Sequence, residues 1–153
     1  MIVGIGVDLV DIGRFERTLE RTPRLAERLF SPAERMRPAR SLAARYAAKE
    51  ALIKALGGSD GLHWTEIEIT PEESGRPWFT LTGSTAAAVA GRGITTLHLS
   101  MSHDGGFATA YVIAEAAEAA EAAEPAEAAE APEPAEHAEA AEVRSQAPAG
   151  GTS

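Results

Sequence analysis

One stretch of the chain carries more reactive groups at helical spacing than any other. It runs Arg45-Tyr46-Ala47-Ala48-Lys49-Glu50-Ala51-Leu52-Ile53-Lys54 and ends at Gly57-Gly58. Glu50 and Lys54 lie four residues apart, so on a helix they share a face one turn apart. Arg45 and Lys49 bring further positive charge. A carboxylate among three cations can hold a divalent metal and bind a phosphate. The ordinary alternative is a helix salt bridge, since Glu placed four residues before Lys is the favoured orientation.

Three other groups add to this set. Asp8 follows the glycine-rich run Ile2-Val3-Gly4-Ile5-Gly6-Val7. Asp8 with Glu50 would suit Mg²⁺, which takes one or two protein carboxylates and fills its octahedron with water and phosphate oxygens. His103 stands at the end of an alternating segment, before Asp104-Gly105-Gly106. A neutral imidazole there can accept a proton or bond a phosphate near neutral pH. His98 alternates with Leu97 and Leu99 and is expected to face away from the core.

Arg14, Arg17, Arg21, Arg24 and Arg28 recur at steps of three or four, which makes a stripe on a helical surface, though Pro23 interrupts it. Arginine in place of lysine favours carboxylate or phosphate recognition, so an acidic partner is expected. A solvated charged face is the alternative. Few aromatics interleave with the arginines, which argues against single-stranded nucleic acid.

The elements that must position these groups read as follows. Ile2–Val7 suits a buried strand with Asp8 at its end. Asp11 is the cap for a helix from Ile12 to about Arg21. Ser31-Pro32-Ala33-Glu34 has the form of a helix start, with a capping Ser, Pro at the first position and Glu at the third. A long helix then spans about Arg40 to Leu56. Strands are expected at Thr65–Thr70 and Trp78–Thr82, a short helix at Ser84–Ala90, and a hairpin of Leu97–Ser102 with Phe107–Ile113 turning at Asp104-Gly105-Gly106. The order predicts an α+β fold, a mostly antiparallel sheet packed with a long central helix.

The chain has 153 residues, enough for one domain with a core. Its formal charge of −9 is unevenly placed. Residues 1–115 carry 13 Lys/Arg and 14 Asp/Glu, whereas residues 116–153 carry nine Glu and one Arg. The domain is therefore nearly neutral and ends near Glu115. Residues 116–153 form an Ala/Glu/Pro-rich tail without Leu, Ile or aromatic side chains, and this composition predicts disorder. No cysteine is present, which excludes disulfide frameworks and Cys-ligated zinc and fits a cytoplasmic location. No apolar run is long enough to span a bilayer, and the N-terminus does not read as a signal peptide. No membrane or nucleic-acid partner is expected.

Gly6-Val7-Asp8, the Arg45–Lys54 segment and Ser102-His103, in this order, resemble the bacterial holo-acyl-carrier-protein synthases, which are 4′-phosphopantetheinyl transferases. The central segment is similar to that family's aromatic-x-x-Lys-Glu-(Ser/Ala)-x-x-Lys pattern, with Tyr46 where Trp or Phe is usual. The resemblance covers about residues 1–115. It implies transfer of phosphopantetheine from coenzyme A to a serine of apo-acyl carrier protein, releasing adenosine 3′,5′-bisphosphate. It also implies that Asp8 and Glu50 hold Mg²⁺, and that Arg45, Lys49 and Lys54 face the phosphates. Ser102 and His103 would help bind coenzyme A, and Gly75-Arg76-Pro77 resembles the turn beside its adenine. Arg14 and Arg24 match positions that contact the carrier, and the stripe through Arg17, Arg21 and Arg28 would extend that surface. A homotrimer with sites between subunits is implied as well. The serine proton would go to Glu50, a metal-bound water, His103 or Asp104, and Asp104 departs from the usual pattern. Two other classes share these residues. A nucleic-acid module would use the arginines alone, and a metal-dependent phosphoesterase would direct Asp8, Glu50 and His103 at water.

Overall fold

The computed structural model describes residues 1–117. The expected tail, residues 116–153, lies outside the described residues from 118 onward, and Ala116 belongs to the last strand. Within them the chain runs β1 (Ile2–Asp11), α1 (Ile12–Arg21), α2 (Leu25–Leu29), α3 (Ala39–Ala55), β2 (Ile67–Pro71), β3 (Pro77–Leu81), α4 (Gly83–Gly91), β4 (Ile94–Asp104) and β5 (Phe107–Ala116). Single 3₁₀ turns stand at Glu34–Met36 and Trp64–Glu66. One antiparallel sheet has the order β1-β5-β4, and β2-β3 form a separate antiparallel pair. The architecture is α+β, with α3 as the long central helix.

Glycine and alanine determine how α3 seats on the sheet. A Cβ at Gly4 would overlap the carbonyl oxygen of Ala55, and one at Gly6 the carbonyl oxygen of Ala51. The absent side chains let the helix backbone approach β1 closely. On β5, Ala108, Ala110, Val112 and Ala114 are fully buried on the same side, and Ala47, Ala48, Ala51 and Leu52 meet them from α3. Gly6→Ala would therefore drive backbone against backbone, which no side-chain rotation relieves.

The other face of the sheet is open. Val3, Ile5, Val7 and Leu9 of β1 and Tyr111 of β5 are each about half exposed or more, from 45% to 66%. The expectation of a buried strand is corrected in part: β1 is covered by α3 on its Gly4-Gly6-Asp8-Val10 side alone. The strand also continues past Asp8 to Asp11, because it pairs with β5 as far as Phe107. Asp8 thus lies within the strand, opposite Ala110.

Local signals hold in part. Asp11 caps α1 as expected, accepting the Arg14 N–H at 2.8 Å. Ser31 and Glu34 form a reciprocal capping box, Ser31 N–H to Glu34 Oε2 at 3.1 Å and Glu34 N–H to Ser31 Oγ at 3.3 Å. No α-helix follows, which corrects the expected helix start. Pro38 forces Arg37 into extended backbone, φ −87° and ψ 152°, and the turn stops after Met36. The arginine stripe is likewise broken at Pro23: α1 ends at Arg21 and α2 begins at Leu25.

Candidate active site

A cavity of about 670 Å³ opens beside the α3–β1 contact. Asp8, Arg14, Tyr46 and Glu50 line it, together with Phe15, Thr18 and Leu29. β1 supplies Asp8 from its helix-facing side, and α3 supplies Glu50 where it crosses that strand. The two carboxylates named from sequence are therefore brought into one cavity.

Glu50 does not pair with Lys54. Lys54 Nζ reaches across to β1, donating to Asp8 Oδ1 at 2.7 Å and to the Val7 carbonyl at 3.0 Å. Close seating on Gly4 and Gly6 makes that span possible. Glu50 Oε1 instead accepts the Tyr46 hydroxyl at 3.1 Å, one turn back on α3. The Tyr46 hydroxyl is pushed up to about 12, first by burial and then by the Glu50 charge, so it stays a donor. Its ring stacks on Trp64, with centroids 5.4 Å apart at 11°, and tilts against Phe15 at 5.2 Å.

Lys49 is a correction. It was expected at the phosphates, yet it is fully buried. Its ammonium donates to Glu34 Oε2 at 2.7 Å, the Leu29 carbonyl at 2.7 Å and the Trp64 carbonyl at 3.0 Å, which engages all three protons. It also lies 5.0 Å from the Phe30 ring centroid. Burial lowers its pKa, and the Glu34 pair opposes that shift.

Arg45 lines neither cavity described here. Its Nη1 donates to Ser41 Oγ at 2.6 Å, its Nη2 to the Ile69 carbonyl at 3.4 Å, and its Nε stands 3.7 Å from Glu34 Oε1. The expected phosphate contact would have to break these bonds. Burial is also the main cause lowering the Arg45 pKa.

Glu34 was read from sequence as a helix signal and is a structural centre. Besides Lys49 and the Ser31 N–H it accepts the Ile69 N–H at 3.0 Å. Its partners come from segments 15 and 35 residues away, so no short-range pattern could have shown them.

A second cavity of about 530 Å³ lies beside β4, lined by Ser102, His103, Arg37, Arg40, Ser41 and Met101. By register Asp8, Ala110 and Met101 are paired across the sheet, as are Val10, Ala108 and His103. α3 rests on β5 between them, so the Asp8–Glu50 and Ser102–His103 groups flank the same helix on opposite sides. Arg37 and Arg40, which no sequence motif marks, place two exposed cations beside Ser102 and His103, an arrangement that suits an anion. Asp104 is exposed at the end of β4 and lines neither cavity. Arg76 is exposed on the β2–β3 turn, closed by Glu72 N–H to the Arg76 carbonyl at 2.9 Å, and Pro77 begins β3. Arg14, Arg17, Arg21, Arg24 and Arg28 are all exposed, and of these Arg14 lines the first cavity. His98 bonds Glu115 at 2.8 Å away from both sites.

The donor set fits Mg²⁺. Asp8 and Glu50 carry hard oxygen donors, and the described residues contain no group of three or more His, Cys, Asp or Glu placed to hold a metal. Two carboxylates with room for water and substrate oxygens match the demands of that ion rather than those of zinc.

The 4′-phosphopantetheinyl transferase superfamily model matches residues 4–112. A holo-[acyl-carrier-protein] synthase of Clavibacter michiganensis subsp. michiganensis is 61% identical over 115 residues, 75% of this chain and 97% of the relative. The crystal structure of the Neisseria meningitidis holo-[acyl-carrier-protein] synthase superposes with a TM-score of 0.71 at 32% identity, covering 75% of this chain and 99% of that one. The Helicobacter pylori holo-[acyl-carrier-protein] synthase, solved in complex with coenzyme A, gives 0.65 at 34%, covering 72% and 99%. The Asp8–Glu50 cavity, the fold around α3 and these likenesses together place the chain in the 4′-phosphopantetheinyl transferase superfamily.

Proposed function

We propose that the Asp8–Glu50 cavity is where this chain transfers 4′-phosphopantetheine from coenzyme A to a serine of apo-acyl carrier protein. The observation that carries this reading is the meeting of Asp8, Glu50 and Arg14 in one cavity, with Lys54 at its Asp8 wall.

In the transfer, the serine oxygen forms a bond to the β-phosphorus of the coenzyme A pyrophosphate. The bond from that phosphorus to the bridging oxygen breaks, and adenosine 3′,5′-bisphosphate leaves with the electron pair. Asp8 and Glu50 would hold Mg²⁺, which when bound neutralises charge on the pyrophosphate. Lys54, whose ammonium sits on Asp8 at the cavity wall, would face a phosphate oxygen where Asp8 serves the metal. Alignment of serine and phosphorus supplies much of the remaining acceleration. The serine proton needs an acceptor. Of the side-chain acceptors named from sequence, Glu50 lines this cavity, while His103 and Asp104 lie on the other flank of α3.

The exposed arginines Arg14, Arg17, Arg21, Arg24 and Arg28 suit an acidic carrier, and Arg14 joins that surface to the cavity. The open apolar face of β1 and β5 supports a homotrimer, since a patch of this kind marks an interface. Sites completed between subunits would also explain why Ser102 and His103 stand apart from Asp8 and Glu50 in one chain. Among the described residues no helix is long and apolar enough to cross a membrane; a cytoplasmic setting is part of the proposal.

Incubation with coenzyme A, Mg²⁺ and an apo-carrier, followed by intact mass measurement, tests the reading. The carrier is expected to gain one phosphopantetheinyl group. Hydrolysis of coenzyme A with no carrier present and no carrier mass gain would favour the phosphoesterase instead.

A further inference from the structure

Tyr46 holds a position usually filled by an aromatic without a hydroxyl in the family pattern, and here the hydroxyl has a definite task. The ring is wedged between Trp64, stacked at 5.4 Å, and Phe15, tilted at 5.2 Å. Phe15 is itself buried and packs edge-on against Phe30 at 6.3 Å. A tyrosine side chain has two rotatable torsions before its hydroxyl, and these contacts hold both. The hydroxyl therefore arrives at one place, 3.1 Å from Glu50 Oε1. Among the described contacts Glu50 Oε2 carries no protein partner, and Glu50 lines the same cavity as Asp8.

We propose that the Tyr46 hydroxyl acts as a positioning group that restricts Glu50 to one-oxygen metal ligation, and so favours a small octahedral cation over a larger one. This rests on the reading of Asp8 and Glu50 as the metal ligands. The chemistry is that of ligand number. Mg²⁺ demands near-ideal octahedral geometry at short distance and accepts single carboxylate oxygens, whereas Ca²⁺ takes more oxygens and welcomes bidentate carboxylates. With Oε1 held by that hydrogen bond, Oε2 would be the oxygen offered to a metal, and bidentate binding would have to disturb the Tyr46 contact. Partners of metal-bound carboxylates commonly change metal affinity by roughly 10–100-fold.

The test uses the full chain with coenzyme A present. Mn²⁺ is bound as a paramagnetic probe and followed by electron spin resonance, and Mg²⁺ or Ca²⁺ is titrated in to displace it. Wild type and Tyr46→Phe are compared, with Tyr46→Trp as a second variant that keeps an aromatic ring without the phenol. Unfolding midpoints within a few degrees of wild type establish that the stack survives. The expected result is a fall in the Mg²⁺ over Ca²⁺ affinity ratio of roughly tenfold in a folded variant. A ratio equal to wild type in a folded variant overturns the proposal, whether or not both affinities move together. If wild type binds no Mn²⁺ that Asp8→Asn removes, the metal-ligand reading itself fails and the proposal falls with it.

Discussion

Two lysine–carboxylate pairs stand five residues apart on α3 and have the same length. Lys49 meets Glu34 at 2.7 Å, and Lys54 meets Asp8 at 2.7 Å. The first pair is sealed, with both side chains 2% exposed or less. In the second, Lys54 is 50% exposed and Asp8 16%. Identical chemistry therefore has two different consequences. Inside, the ammonium is saturated by three acceptors and ties α3 to the Leu29 and Trp64 segments. At the cavity wall the same pair is open to solvent, and under the proposed function a metal would take the place of the lysine or a phosphate that of the aspartate. Pair length says little about role; burial and the number of fixed partners decide it.

The largest contrast comes from breaking each pair on its lysine side. Lys49→Ala leaves the Glu34 carboxylate buried without its cation and should destabilise the fold by about 3–5 kcal/mol. That is a large part of the stability of a domain of this size. Chemical denaturation measures it, and a loss below about 1 kcal/mol would erase the distinction. Lys54→Ala should change stability by no more than about 1 kcal/mol. Its effect should fall on substrate, raising the KM for coenzyme A by roughly tenfold, equivalent to about 1.4 kcal/mol. Equal stability losses in the two variants would show that both pairs are structural.

A smaller effect sharpens the comparison with a third carboxylate. Glu66 caps the start of α4, accepting the Thr85 N–H at 2.8 Å and the Ser84 hydroxyl at 3.0 Å. The backbone bond from Thr85 is the main cause holding its pKa below the usual carboxylate value. A depressed folded value means that the stability is present above the unfolded pKa and is lost as pH falls through the folded one. The unfolding midpoint of wild type should therefore fall below about pH 4 more steeply than that of Glu66→Gln. Parallel acid limbs would remove this contribution.

Much of the fold was legible because its signals are local. α3, the Asp11 cap and the Gly105-Gly106 hairpin each follow from residues within a turn of one another. Asp8 and Glu50 were legible as a pair through their chemistry and the family pattern. Two of the errors at the site concern partners distant in sequence. Lys54 finds Asp8 46 residues away, and Arg45 bonds Ile69 24 residues away. Helical arithmetic did hold a warning about Lys49. Five residues at 3.6 per turn put it roughly 140° from Lys54, too far around α3 for both to face one phosphate. The glycines of β1 were equally silent. Gly4 and Gly6 read as strand residues, and only the helix lying on them shows why a side chain is excluded.

α3 thus divides its carboxylate partners: Glu50 would serve the reaction, and Glu34, held by Lys49, serves the fold. Intact mass measurement of an apo-carrier over time, with coenzyme A and Mg²⁺, tests it most directly for wild type and Glu50→Gln. Glu50→Gln is expected to slow the gain of phosphopantetheinyl mass by roughly 10²–10³-fold, the usual range for losing one transition-state-stabilising group. Its unfolding midpoint should stay close to that of wild type. Transfer by Glu50→Gln at the wild-type rate, or a loss explained by unfolding, would overturn that division of roles.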